Sequence, residues 1–280
     1  MTLNEAVRKK TFLIMGTITG LYLVLLGLMV YYFQHTQMIH GIQEEQFISV
    51  ASLMITQMGL QFSVLLMALL TIMLGAGAVS AELENGLIQS ILTRPLSRAA
   101  YILGKLAGLT LLTSIYASFL YFVILAIGKY FNLSTITALT ASQIFFCWLL
   151  YLSIPFAILC LTVFGSVHLK TVPNGILMIF IYIMGNAGGM VEMIGGYINS
   201  AKIVATGIFI SLISPFHTIF GIFERKLLPS IGMVENMARG AGGLAGSGAP
   251  ASFWMHLYIV IYLLACVSLA IHSFSRKDIQ

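Results

Sequence analysis

The 280-residue chain is 59% hydrophobic and only 8% charged, with a mean hydropathy of +0.98. These values lie far outside the range of water-soluble proteins, and they predict a polytopic membrane protein with one all-α domain over residues 1–280. The formal charge of +5 comes from basic residues scattered at the ends of apolar runs, which excludes a nucleic-acid-binding stripe. The three cysteines lack metal-ligand spacing, so the sequence indicates neither a disulfide framework nor a metal site.

The apolar runs predict six membrane spans, because each supplies the roughly 20 residues that cross a bilayer. The spans cover about residues 12–33, 58–79, 101–128, 141–167, 173–193 and 254–274. Basic clusters precede the first span, at Arg8, Lys9 and Lys10, and follow the last one, at Arg276 and Lys277. By the positive-inside rule, both termini of this multi-pass protein are expected on the cytoplasmic side of the cell membrane.

Two apolar stretches do not fit as simple spans. Residues 47–80 would form a helix on the order of 50 Å long, so we assign residues 44–57 to an external lead-in helix before span two. Residues 203–223 are apolar enough for a seventh span, but an odd number of spans would place the basic C-terminal end outside. Because Pro215 interrupts this stretch, we predict an external re-entrant or interfacial element made of two short helices.

Residues 80–94, between spans two and three, predict a short amphipathic helix at the membrane surface. Ser80 is suited to be its N-cap, Glu82 and Glu84 complement the positive end of the helix dipole, and Pro95 ends it. Ser97 is then placed to cap span three. On the helical wheel, Glu84 alone of the polar residues falls on the apolar half. The hydrophobic periodicity alone is equally consistent with a helix that only anchors the loop to the membrane.

A longer residue pattern runs through this helix. Glu82-x3-Gly86 is followed by an apolar run, then by Arg94-Pro95-Leu96-Ser97-Arg98, and finally by Gly104-Lys105. This order resembles the signature that follows the second span in ABC-2-type transporter permeases, a family that includes the copper-enzyme maturation type. Leu87 departs from the threonine that is usual in the family.

Two further elements extend the resemblance over nearly the whole chain. Ser214-Pro215-Phe216, with Arg225 downstream, resembles the N-P-x-x-x-F-R-type element before the last span, although Ser214 stands where asparagine is common. Phe274-Ser275-Arg276-Lys277-Asp278 resembles the F-x-R-x-D ending of the family. Each of these two elements is weak when taken alone.

The resemblance implies the permease subunit of an ABC exporter, paired with a second copy or a related permease and served by two separate ATPase chains. It also implies that residues 80–94 form a coupling helix docked on the ATPase. The residues implied in ATPase coupling are Glu82, Gly86, Arg94, Pro95 and Arg98. Because the sequence has no GxxxxGK[ST] loop, ATP and Mg are expected in the partner, with no cofactor and no catalytic residue in this chain.

The cargo is expected to be apolar or amphiphilic, because charged residues are absent from the middle of the spans. The family resemblance implies that it moves by alternating access. Gln57 and Gln61, four residues apart, and Asn186 are candidates to line its path, although such amides also bond neighbouring helices. One alternative is a permease-like subunit that transmits ATPase motion to an external partner protein without moving cargo. The other is an ATP-independent carrier or a membrane enzyme.

Overall fold

A computed structural model of the chain describes residues 10–40, 45–84, 97–198, 200–227 and 253–276. Within these ranges it contains ten helices and no strand. The helices are α1 (Lys10–His40), α2 (Glu45–Ala76), α3 (Ser80–Glu84), α4 (Arg98–Tyr130), α5 (Ser134–Thr137), α6 (Ala141–His168), α7 (Thr171–Tyr197), α8 (Ala201–Ser211), α9 (Phe216–Leu227) and α10 (Phe253–Arg276). Six of them, α1, α2, α4, α6, α7 and α10, are long and apolar enough to cross a membrane. The predicted all-α fold with six membrane helices is confirmed.

The second membrane helix continues through the boundary that the sequence analysis sets at residues 57 and 58. The predicted lead-in helix at residues 44–57 and the predicted span at residues 58–79 form one continuous helix from Glu45 to Ala76. No proline or glycine occurs between Glu45 and Met58, so nothing in the backbone interrupts the helix there. At 1.5 Å per residue its 32 residues measure about 48 Å, which requires a tilt or an end outside the hydrocarbon.

The centre of the bundle is formed by α6, which contacts α2, α4, α7, α9 and α10. Three large aromatic side chains meet on one side of it: Tyr151 of α6, Tyr121 of α4 and Phe223 of α9, with ring centroids 5.3–6.2 Å apart. The hydroxyl of Tyr151 also lies 2.8 Å from Ser63 Oγ of α2. Membrane helices are held together by such close packing and interhelical hydrogen bonds, since lipid is as apolar as their side chains.

The segment predicted as re-entrant or interfacial forms two helices, α8 and α9, bent by 104° at the break around Ser214 and Pro215. Gly195 of α7 packs on Val204, and Gly185, ten residues earlier in α7, packs on Ser214. The break therefore lies beside a point of α7 that is about 18 Å from Tyr197, the C-terminal residue of that helix. At the far end of α9, Lys226 lies 5.8 Å from the ring of Phe146, near the start of α6.

These contacts indicate that α8 runs back along α7 and that α9 returns toward the end of the bundle at which α8 begins.

Two backbone carbonyls at the break accept hydrogen bonds from the last membrane helix. Tyr258 donates its hydroxyl hydrogen to the carbonyl of Leu212, and Tyr262 donates to that of Ile213 at 3.0 Å. Irregular backbone at membrane depth requires such partners, because the hydrocarbon supplies none.

Glycines permit the close approach of α7 and α8. A Cβ atom on Gly207 of α8 would lie 2.4 Å from the backbone nitrogen of Glu192, and one on Gly195 would lie 2.6 Å from that of Val204. Each glycine thus faces the backbone of the opposite helix, where no side-chain rotation could make room. The helix α8 therefore packs against the glycine-rich C-terminal half of α7.

Candidate functional site

Polar side chains converge at the end of the bundle where α2 ends and α7 begins. They come from the segment that opens the predicted coupling helix and from the first turns of two membrane helices. We call this group the Glu82 junction: Ser80, Glu82 and Glu84 of α3, Arg98, Tyr101 and Lys105 of α4, and Thr171 and Asn174 of α7. The chain reaches it through a turn at residues 77–79, since α2 stops at Ala76 and α3 starts at Ser80.

Glu82 ties the short helix α3 to membrane helix α4. Its Oε2 accepts a hydrogen bond from the Tyr101 hydroxyl, and its Oε1 forms an ion pair with Lys105. Lys105 also donates to the carbonyl of Ala78, in the turn after α2. The side chains of Lys105 and Glu82 are only 11% and 16% exposed, so this pair is much less screened by water than a surface pair.

Arg98 extends the junction to the last membrane helix. Its Nη1 donates to the carbonyl of Ser275 at 2.8 Å and to that of Phe274 at 3.4 Å, at the C-terminal end of α10. The final carbonyls of a helix lack partners within it and carry its negative dipole end, so a guanidinium stabilises them. The rings of Tyr101 and Phe274 stack beside this contact with centroids 5.3 Å apart. Two of the sequence elements that carry the family resemblance therefore touch each other.

Glu84 ties α3 to membrane helix α7. Its Oε1 accepts the backbone N–H of Thr171 at 3.1 Å, at the N-terminal end of α7. A carboxylate in this position satisfies a free amide and complements the positive end of the helix dipole. Ser80 adds to the contact, because its hydroxyl lies 3.0 Å from Thr171 Oγ1 and donates to the carbonyl of Ala76 at 3.1 Å. Ser80 is thus the first residue of α3, bonded to the preceding helix, and not the predicted N-cap of a helix that follows it.

Asn174, three residues after Thr171, joins the start of α7 to two other membrane helices. Its amide nitrogen donates to the carbonyl of Ala76 in α2 and to that of Thr162 in α6, both at 3.0 Å, and its side chain is fully buried. Gly165 of α6 makes the space, since a Cβ atom there would lie 2.2 Å from Asn174 Oδ1. The start of α7 is consequently bound both to the end of α2 and to the central helix.

Of the five residues predicted to couple to an ATPase, the structure describes two. Glu82 and Arg98 lie in the junction, and both bond other helices of this chain. Gly86, Arg94 and Pro95 lie outside the described residues, as does the part of the predicted coupling helix after Glu84. The predicted cap of span three is confirmed, because Ser97 Oγ accepts the N–H of Ala100 at 3.2 Å.

The three residues predicted to line a cargo path do not belong to the junction. Gln61 is exposed and Gln57 is half-buried on α2, next to the exposed side chains of Met58 and Phe62. Asn186 donates to the carbonyl of Tyr182 in its own helix at 2.9 Å. The two glutamines thus lie toward the outer surface of this single chain, and their role in a cargo path stays a prediction.

The comparison with known families decides the class of protein. The family described as ABC-2 family transporter protein matches residues 3–279. The chain belongs to this family. It is the membrane permease component of an ABC transporter. A search among curated proteins found no match. In this ABC-2 permease, Glu82 and Arg98 lie on either side of residues 85–96, in the connection between the second and third membrane helices.

Sequence reasoning missed Tyr101, Thr171 and Asn174 of the junction. The spacing of Tyr101 could have indicated that it belongs to the site. Arg98, Tyr101 and Lys105 are three and four residues apart, so they lie on one face of a helix. Asn174 is an amide in the first turn of an apolar helix, where an unbonded polar side chain is costly. Thr171 bonds Glu84 through its backbone N–H, for which no side-chain pattern exists.

Replacing Glu84 with alanine in this ABC-2 permease should remove the acceptor at the start of α7. Losses of a helix N-cap cost about 0.5–2 kcal/mol, and we expect a decrease of this size in the free energy of unfolding. Glu84→Gln keeps a side-chain oxygen and should lose less. Hydrogen exchange of the Thr171 amide checks the contact directly, because it should become faster in Glu84→Ala; an unchanged rate would show that the carboxylate does not protect this amide.

Proposed function

We propose that the chain is the permease subunit of an ABC exporter, in which a separate ATPase binds residues 80–94 from the cytoplasm and drives alternating access for an apolar or amphiphilic cargo. Two copies of the permease, or this chain and a related one, would act with two ATPase chains that hold ATP and Mg. The observation that carries the proposal is the Glu82 junction. At this place Glu82 and Glu84, two residues apart, bond two different membrane helices.

The bonds of Glu82 and Glu84 to different membrane helices support a coupling role, because they transmit a movement of α3 to both helices. A displacement of α3 pulls on α4 through Tyr101 and Lys105, and on α7 through the Thr171 amide. Since Arg98 holds the end of α10, a movement of the start of α4 also reaches the last membrane helix. A partner that moves the loop after Glu84 would thereby act on three membrane helices at once.

The test is transport in vesicles that contain the permease and its ATPase. We expect ATP-driven flux of a fluorescent long-chain amphiphile, because the spans carry no charge in their middle that could couple transport to an ion. The control is an ATPase whose Walker lysine is replaced, which should give no flux. Flux at the same rate with that inactive ATPase would contradict the proposal and favour an ATP-independent carrier.

A second candidate function is the transmission of ATPase motion to an external partner protein without cargo transport. The observation in its favour is that α7 is continuous from Thr171, in the junction, to Gly195, on which α8 packs. A shift at the start of α7 would therefore move the α8–α9 pair. This function predicts that ATP changes the labelling rate of a cysteine at the exposed position Phe209 of α8, while no amphiphile is transported. Measured flux would exclude it.

A further inference from the structure

His217 lies in the first turn of α9, where its ring packs against membrane helix α7. A Cβ atom on Gly189 would lie 2.0 Å from Nε2 and 2.3 Å from Cδ2 of this ring, so the ring occupies the space that the missing side chain leaves. The preceding residue, Gly188, packs on Ser211 at the end of α8. The ring therefore lies where α7 meets both helices of the α8–α9 pair.

The surroundings of the ring suit a neutral imidazole. Its Nδ1 is buried and has no hydrogen-bond partner among the described residues. A neutral ring can leave this nitrogen as an unused acceptor, whereas a protonated ring carries an N–H group on both nitrogens and needs an acceptor for each. A positive charge is also unfavourable here, because the first turn of a helix is the positive end of its dipole. Protonation of His217 is therefore costly as long as its ring stays on α7.

The charged side chains of α7, α8 and α9 are Glu192, Lys202, Glu224, Arg225 and Lys226. Glu192 lies one helical turn beyond Gly189 on α7, within electrostatic range of Arg225. Glu224 follows His217 by seven residues, a rise of about 10 Å along α9. Neither carboxylate is bonded to Nδ1 of the ring. Nothing printed by the geometry thus compensates a charge at this nitrogen.

The other titratable groups around α9 are tyrosines. Tyr182 of α7 stacks on Phe216 with ring centroids 6.3 Å apart, and Tyr151 of α6 contacts Phe223. Tyr258 and Tyr262 of α10 donate to carbonyls at the break. Phenols are uncharged at and below neutral pH, so these groups do not respond to mild acid.

We propose that His217 is a proton-binding site that releases α9 from α7 in acid. We call α9 docked while the ring lies on Gly189, and released when the first turn of α9 has moved away from it. The docked ring is neutral, and the released ring takes up a proton from water. Because the proton binds only the released form, acid shifts the equilibrium toward release. The site needs neither an ATPase nor a cargo, so it does not rest on the transport function proposed above.

The size of the response follows from the chemistry of imidazole. Its pKa in water is about 6.5, so a released ring is about 90% protonated at pH 5.5. Since the docked ring stays neutral, the ratio of released to docked protein should rise about tenfold between pH 8 and pH 5.5. Docking is consequently strongest above about pH 7 and weakens as the pH falls through about 6.5.

Spin labels measure the release. Phe209 of α8 and Ile183 of α7 are 70% and 57% exposed, and they lie near the break, where Gly185 packs on Ser214. Nitroxides at these two positions, in a background without the three buried cysteines, should show one distance at pH 8. At pH 5.5 we expect a second, longer distance, with a population relative to the first that is about tenfold higher. Gly189→Ala defines the released form, because its methyl group meets the ring, and it should show the longer distance already at pH 8.

Variants at three positions assign the proton. His217→Phe and His217→Gln carry side chains that cannot be protonated, so each should show the same populations at pH 8 and pH 5.5. His272→Phe makes the same change at an exposed histidine of α10 and should keep the tenfold response. Glu192→Gln should keep it as well, because the response belongs to the imidazole and not to the neighbouring carboxylate.

Two results would overturn the proposal. Equal populations of the two distances at pH 8 and pH 5.5 in the unsubstituted protein would show that no proton controls the docking of α9. A response that persists in both His217 variants, or that disappears in Glu192→Gln, would assign the proton to a group other than His217.

Discussion

Replacing Lys105 with methionine is expected to lower the free energy of unfolding by about 3 kcal/mol, the low end of the cost of breaking a buried ion pair. The substitution leaves the Glu82 carboxylate without its cation where both side chains are mostly buried, and it removes the donor to the Ala78 carbonyl. Thermal or SDS-driven unfolding in mixed micelles measures the change.

The double variant Glu82→Gln/Lys105→Met separates the ion pair from a general loss of packing. Because it removes both charges, it should recover at least half of the stability that Lys105→Met loses. Lys202→Met, at an exposed lysine of α8, is the matched control and should stay within about 0.5 kcal/mol of the unsubstituted protein. Equal losses in Lys105→Met and Lys202→Met would show that the Glu82 pair does not stabilise the junction.

Replacing Gly207 with alanine should separate α8 from α7. The added methyl group would lie 2.4 Å from the Glu192 nitrogen and 2.7 Å from its Cα, so the helices must move apart. Overpacking of this kind costs about 1–3 kcal/mol, and we expect the upper part of that range because the clash is with backbone. The thermal transition and the accessibility of a cysteine at Phe209 report on the separation.

The matched control for Gly207→Ala is Gly221→Ala in α9. A Cβ atom at Gly221 meets no neighbouring atom within 4 Å, and alanine is favoured over glycine inside a helix by about 0.8–1 kcal/mol. The same chemical change should thus destabilise at one position and stabilise at the other. A loss of stability at Gly221 equal to that at Gly207 would contradict this account of the packing.

The membrane helices could be predicted from sequence because each needs only a local property, a run of about 20 apolar residues. The Ser97 cap was equally local, since its hydroxyl bonds an amide three residues away. The boundary at residues 57 and 58 is not a break in the helix, because bilayer thickness limits how much of a helix lies in hydrocarbon, not where the helix ends. Whether residues 44–57 lie outside the hydrocarbon stays a prediction.

The junction itself could be predicted only in part. Glu82 and Arg98 were found through a pattern in consecutive residues, but their partners lie up to 177 positions away in the sequence. Glu84 had no explanation on the helical wheel, because its partner is the Thr171 amide 87 positions further on. In the same way, the glycines at positions 185, 188 and 189 are visible in the sequence, but the residues that pack on them, between Ser211 and His217, are visible only in the fold.

The most direct test of the central claim is to purify the protein in mild detergent from the membrane of the cell that makes it and to identify what accompanies it. The account predicts a protein with a GxxxxGK[ST] loop, bound to the unsubstituted chain and lost from Arg94→Glu, while the thermal transition of that variant stays unchanged. A fully active permease that purifies without an ATPase, or an ATPase that binds Arg94→Glu equally well, would contradict the claim that residues 80–94 couple this chain to ATP hydrolysis.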